Sequence, residues 1–524
     1  MAVELMKDLL KVDRLVGENT VQAIIEGDIL APDTKPDITR VVAVDGNIQV
    51  SKKETQDNKI LVEGVIQFKV LYASEKGEEP LYSIDSSTDF KQSIEIEGLT
   101  SPMKSEIAAE IEHIDFSLNN ERKIGVKAVI NMAAKGVQEV QVEITKDLEG
   151  MEDIEVLRET LQYTDIIGTN ASDTLVKDAF ELEEGVPEMK EVLKWSAIPV
   201  EKETKITDGK VIIGGSVLLE VLYIGEDEES PLNIVKKEMP FTHFIEIPEA
   251  YSDMEYKLKM KIDEVFTDIK ENADGEKKIL EVEGIVHIEA VVMESQKREV
   301  VVDAYSPTKP LNIQKSKVEV KENLGIHRSQ VLLRETLDLP SNNPPMAQIF
   351  SINAKPIVTD YNLMENKVVI EGVLETTVIY TSQEGLQPIY SYMQEIPFRH
   401  HVEIEGVQNQ MEIDIELLVQ ELDYSRINEE QVEVRMNIST TCEAYSLKSM
   451  DVISDVEEME EVEDISKRPS LTIYFFQEGD SLWKIAKKYY TTVQHIMESN
   501  EIERPEDVKP GDQIIIEKVY SFKF

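Results

Sequence analysis

The chain has 524 residues, too many for one core and enough for three or four domains. Its 41% hydrophobic content supports buried cores, while 103 acidic against 55 basic residues give a formal charge of −48. With no basic run to offset that field, DNA, RNA and anionic lipid are excluded as charge-driven partners.

The amino-terminal segment carries Glu4, Asp8 and Asp13 where a secretion signal would need an apolar core. No window reaches about 18 uncharged apolar residues, so no transmembrane helix is expected. A lone cysteine, Cys442, sits in a strand-like run and reads as a small buried side chain rather than a reactive thiol. These features predict a protein of the reducing cytoplasm.

The body of the chain repeats itself. Segments 59–84, 210–235 and 367–392 align Gly64, Gly215 and Gly372, then Tyr72, Tyr223 and Tyr380, then Pro80, Pro231 and Pro388. Upstream lie Pro36, Pro187 and Pro344 in the same register, and downstream "IEI", "IEI" and "VEI" at 94, 245 and 402. After each upstream proline, apolar residues at +2, +5 and +6 (Ile38, Val41, Val42 in the first copy) predict a short helix. A hairpin rich in Val, Ile and Tyr follows, broken by a turn such as "SEKGEEP", and then further runs alternating with period two. The glycine predicts a bulge or a close approach of another backbone, and the tyrosine a core aromatic. Helix-prone pieces at 153–166 and 327–339 read as connectors or first elements. The segment 451–464, with eight acids and no base, reads as a solvated tether that leaves the module after it mobile.

From Leu471 the pattern changes. "TIYFFQ" predicts a strand, "EGDSLWKIAKKYY" a turn and a helix capped by Asp480 or Ser481, "TTVQHIMESN" a second helix, and "VKPGDQIIIEKV" a closing strand. This β-α-α-β order, with GDSLWKIA, Asn500 and a final PGDQIII, closely resembles the LysM domain over 472–518. The resemblance implies a shallow groove for N-acetylglucosamine chains. One side would be Gly479, Asp480, Ser481 and Leu482; Asn500, Ile502 and the segment to Pro505 would form the other. Trp483 reads either as an exposed stacking platform or as helix packing. Glu501 stands where the LysM pattern commonly has glycine, and "ESNEIERPED" makes that loop acidic.

The predicted fold is therefore mainly β: three repeated, sandwich-like domains followed by a small α/β LysM domain. The expected boundaries are 1–145, 172–318 and 327–446 for the repeats, 447–470 for an acidic linker and 471–519 for the LysM domain. Three such units and a terminal LysM resemble the SipL family of clostridial spore-envelope proteins, whose repeats are called SPOCS domains, with a looser parallel in the SpoVID family of bacilli. That resemblance implies a mother-cell protein at the forespore surface that binds a coat-basement ATPase of the SpoIVA type. The expected anchors for such a partner are Leu482, Trp483 and Ile502, apolar residues on the least charged part of the chain. A peptidoglycan-binding protein is the alternative.

Catalytic chemistry is not expected. No Walker A loop, HExxH, GxSxG or CxxC occurs, and "GGSVL" at 214–218 lacks the spacing of a nucleophile elbow. His243 and His400 are equivalent, but the first copy has Gln92 there, which argues against a shared metal site. No cofactor or metal is expected.

Overall fold

A computed structural model describes residues 3–227, 231–382, 389–459 and 469–518. The fold is mainly β, with a small α/β module at the carboxyl end.

Each repeat is built from six strands in two three-stranded antiparallel sheets. In repeat 1, β1 (Glu4–Leu30), β6 (Lys123–Glu149) and β5 (Lys104–Asn120) form one sheet, and β2 (Arg40–Gln56), β3 (Lys59–Ala73) and β4 (Tyr82–Glu95) the other. Repeat 2 has β7 (Glu155–Glu181), β12 (Ile279–Tyr305) and β11 (Glu255–Lys270) against β8 (Met189–Thr207), β9 (Lys210–Gly225) and β10 (Leu232–Glu246). Repeat 3 has β13 (Leu311–Asp338), β18 (Gln431–Glu458) and β17 (Glu412–Arg426) against β14 (Gln348–Met364), β15 (Lys367–Thr381) and β16 (Ile389–Glu403). The alternating runs bury one side of each sheet, as along β3, where every second residue is buried.

The shared glycine lies opposite a bulge in the preceding strand, where the register shifts at Val50/Lys52, Glu201/Glu203 and Val358/Asp360. A Cβ on Gly64 would come 2.3 Å from the Gln49 carbonyl oxygen and 2.5 Å from the Phe90 ring. Phe241 and Phe398 crowd Gly215 and Gly372 in the same way. Glycine is thus required by a close backbone and by an aromatic lid. The tyrosines are fully buried, and the Tyr72 and Tyr380 hydroxyls each donate to the carbonyl of the upstream proline, Pro36 or Pro344, at 3.0 Å. Burial pushes the Tyr72 and Tyr223 hydroxyls up to about 12.

Four expectations are corrected. The residues after each proline form strands, not a helix. Register shifts at Val41/Ala43, Val192/Lys194 and Ile349/Ser351 mark a bulge there. The neighbours at +5 and +6 are both apolar because the first packs in its own repeat's core and the second in a cluster shared between repeats. The pieces at 153–166 and 327–339 are first elements rather than connectors, but as parts of strands β7 and β13 and not helices, because pairing with β12 and β18 overrides propensity. Of the segment expected to be a linker, 447–458 is the end of β18; Val452, Ile453 and Val456 are buried while Asp451, Glu457 and Glu458 face out. Residues 460–468 lie outside the described residues. The six-strand units accordingly run from β1 to β6, β7 to β12 and β13 to β18; the second and third start at Glu155 and Leu311, before the expected 172 and 327.

The fourth correction concerns the three repeated domains, expected to fold as separate β units and instead joined. Strand β4 contacts β8, β10 contacts β14, and β16 contacts β2, so three equivalent interfaces close a ring. At its centre Val42, Leu193 and Phe350 meet Leu71, Leu222 and Ile379, with Leu81, Leu232 and Ile389; these are equivalent positions of the three copies. A second shared cluster joins the long strands through Leu10, Leu161 and Val318 with Ile144, Val300 and Val452. Each buried side chain of this size contributes about 1.5–3 kcal/mol, which favours one body over three tethered ones. Polar bonds cross the same interfaces, among them Lys35 to Glu191 at 2.5 Å, Ser351 to Glu220 at 3.1 Å and Ser391 to the Val42 carbonyl at 2.7 Å.

Candidate functional site

The carboxyl-terminal module pairs β19 (Leu471–Phe475) with β20 (Gln513–Glu517) and packs α1 (Leu482–Tyr489) and α2 (Val493–Ser499) against them. Ser481 is the N-cap of α1, its hydroxyl accepting from the Lys484 amide at 3.2 Å. Asp480 accepts from the Tyr474 hydroxyl at 2.7 Å and the Gln477 amide at 3.0 Å, and these bonds hold its carboxyl below the usual range. Gly479 takes a left-handed φ of +85° with nothing within 4 Å of a Cβ built on it. The turn of Gly479, Asp480 and Ser481 is therefore built by local hydrogen bonding before any ligand is considered.

Asn500 ends α2 and locks it to the closing strand. Its amide donates to the carbonyls of Ile496 and Ile515, both at 2.7 Å, and its carbonyl accepts from the Ile515 amide at 2.7 Å. Glu501, where the LysM pattern commonly has glycine, holds a φ of +55°, the backbone conformation that glycine supplies at least cost. Leu482 is 3% exposed and belongs to the module's core, with Ile502 packed at its edge. Gly479, Asp480, Ser481 and Leu482 are brought together at the start of α1, and Asn500 and Ile502 at the end of α2.

Trp483 takes the packing role. Its indole N–H donates to Asp303 of β12 at 2.8 Å, and its ring meets Tyr305 edge-on, 4.9 Å between centroids. Lys487, one turn on, pairs with the same carboxylate at 2.6 Å, and the Tyr305 hydroxyl donates to the Thr491 carbonyl at 2.9 Å. Burial would raise the Asp303 carboxyl, but the bonds from Lys487 and Trp483 outweigh it and hold the group below the usual range. The module is thus seated on repeat 2 by an aromatic pair, buried Tyr305 against half-buried Trp483, and by a charge-assisted bond, not free on a tether. Of the expected partner anchors, Leu482 is interior and Trp483 is turned onto repeat 2, leaving Ile502 half-buried at the surface. The sequence reading missed Asp303 and Tyr305; only a comparison of the long-strand ends among the repeats could have drawn attention to them.

Three other features read as packing. His243 and His400 hydrogen-bond Ser172 and Ser329 of the neighbouring sheet at 2.7 and 2.8 Å. Cys442 is fully buried, its thiol pushed up to about 12. Asp173, Asp263 and His287 have ligand atoms within 4.8 Å of one another, but His287 bonds Asp173 at 2.6 Å and Lys261 pairs with Asp263 at 2.9 Å.

Family models match on both parts. The model described as SipL, SPOCS domain matches residues 37–119, 188–270 and 345–427, and the LysM domain model matches 474–517. The chain has the SipL-like architecture. Each SPOCS match spans the second to fifth strands of its repeat, so the long first and sixth strands lie outside it. The three SPOCS units form the closed ring, and the LysM domain sits on the second. No curated protein and no solved structure matches the chain. Among the described residues, no helix is long and apolar enough to cross a membrane.

Proposed function

We propose that the chain is a non-enzymatic scaffold of spore-envelope assembly, placed at the forespore surface in the mother cell, whose LysM domain docks on a coat-basement protein of the SpoIVA type. The observation that carries this reading is the joint match of three SPOCS domains and one LysM domain, both of them binding or scaffold families without catalytic chemistry. A rigid ring with a LysM held at a set angle suits a spacer that presents one docking module.

A LysM domain also suits N-acetylglucosamine glycan, and the intact turn at Gly479 to Ser481 favours keeping that second reading. A fluorescent fusion followed through growth and sporulation separates the two. A ring around the forespore that is lost in cells lacking the coat-basement protein supports the scaffold; signal at the wall or septum of growing cells supports glycan binding. Purified protein is expected to leave muropeptides and nucleotides unchanged. Reproducible turnover of either would overturn the non-enzymatic assignment.

A further inference from the structure

The seat on repeat 2 creates a surface that neither part has alone. Tyr305 pairs in the sheet with Glu155, the first residue of β7, so docking the LysM domain on Tyr305 lays α2 beside that glutamate. Between them opens a cleft of about 630 Å³, lined by Val493, Met497 and Ile502 with Glu155, Glu498, Glu501 and Glu503, and by Gln494. The three apolar side chains are half-buried in the LysM core and form the floor. Four carboxylates stand around it, and no lysine or arginine pairs with any of them among the described residues. Two ion pairs form elsewhere on the module, Asp507 with Arg504 at 2.7 Å and Lys487 with Asp303 at 2.6 Å, and neither reaches the cleft.

From this geometry we infer that the cleft between LysM helix α2 and repeat 2 binds a basic peptide segment of a partner protein, one aliphatic side chain entering the floor and flanking lysines or arginines meeting the four glutamates. The inference rests on reading the LysM domain as a docking module, and it names the chemistry of what docks. Charge complementarity favours this occupant over a neutral glycan, which gains no charge attraction from the four carboxylates. It also selects against a second copy of this chain, whose charge of −48 would be repelled. Burial, and after it the nearby Asp153, raises the Glu155 carboxyl. Because screening at physiological salt confines such attraction to about 8 Å, the rim glutamates rather than the whole acidic chain set the affinity.

The test uses the full chain and a fluorescein-labelled peptide, Gly-Lys-Lys-Leu-Leu-Lys-Lys-Gly, read by anisotropy at physiological salt. Replacing Glu498, Glu501 and Glu503 together by glutamine, all exposed positions, is expected to weaken binding at least about tenfold. A control triple on repeat 1, Glu97→Gln, Glu106→Gln and Glu110→Gln, removes the same charge from other exposed sites and is expected to change it less than about twofold. Exchanging both leucines of the peptide for alanine should also weaken it, since the floor then goes unfilled. Equal loss from both protein triples would reduce the effect to diffuse attraction and overturn the inference, as would no loss from the LysM triple. Displacement of the peptide by tetra-N-acetylglucosamine would assign the cleft to glycan instead. None of these outcomes alters the forespore localisation experiment, so the two readings fail separately.

Discussion

Repeat 2 and its two sister repeats carry the same aspartate near the end of the last long strand and use it differently. In repeat 1, Asp147 accepts a bond from Arg158 at 2.6 Å; in repeat 3, Asp455 bonds the Val456 amide at 2.9 Å. In repeat 2, Asp303 receives Trp483 and Lys487 of the LysM domain. Two residues further on stand Glu149, Tyr305 and Glu457. An acid keeps that strand end in water, whereas a tyrosine offers a ring to bury and a hydroxyl to bond the Thr491 carbonyl. One aromatic at one of three equivalent positions therefore accounts for where the fourth domain sits.

The sharpest way to break this comparison is Tyr305→Glu, which gives repeat 2 the residue of its sisters. Loss of a buried aromatic and introduction of an unpaired charge are expected to weaken docking by about 3 kcal/mol or more. Limited proteolysis should then release the LysM domain, and the emission of Trp483 should shift to the red in a Trp195→Phe background. An unchanged emission spectrum would mean that the seat lies elsewhere.

Asp303→Asn tests the electrostatic half and should cost less, about 2 kcal/mol, because the amide can still accept the indole bond while Lys487 loses its counter-ion. The matching changes at Asp147 and Asp455 should leave Trp483 emission untouched. If all three behave alike, the aspartate supports the strand end generally and not the LysM domain.

Acid titration sharpens the same contrast. The Asp303 carboxyl is held below its ordinary value of 3.8 in the folded state, so its contribution is fully present above that value and is lost as pH falls through the depressed one. Docking monitored by Trp483 emission should therefore be flat through neutral and mildly acidic pH and weaken only below 3.8. A transition near neutrality would require a different titrating group.

The smallest expected effect compares the repeats through their tyrosines. Tyr72→Phe and Tyr380→Phe each remove a 3.0 Å bond to a proline carbonyl and should cost about 1 kcal/mol. Tyr223→Phe removes a bond of 3.5 Å and should cost less in thermal unfolding. A larger loss at Tyr223 would reverse that ranking.

Much of the site was legible because local chemistry builds it. Asp480 and Ser481 sit where a turn and a helix cap need them, and Asn500 where a helix end must be tied to a strand, so their spacing alone marks the module. The repeat register was equally legible, since Gly64, Gly215 and Gly372 answer to a crowded backbone that any copy of the unit would share. Misreadings arose where a strand buried on both sides imitates helical spacing, as at Val41 in the repeat core and Val42 at the ring centre, and where a buried edge hides among acids, as at Val452, Ile453 and Val456. The shared Phe90, Phe241 and Phe398 were also passed over, because their role depends on the strand opposite.

By itself the sequence determined the threefold repetition, the β character of each unit and the LysM module, since each follows from short-range periodicity and turn chemistry. Only the tertiary structure decided that the repeats close into a ring and that the LysM domain is seated on the second. Those outcomes depend on Leu71, Leu222 and Ile379 meeting across copies, and on Tyr305 meeting Trp483 from 178 residues away in the chain. Contacts of that range leave no periodic trace in the sequence, because either partner alone reads as one more apolar residue on a strand or a helix.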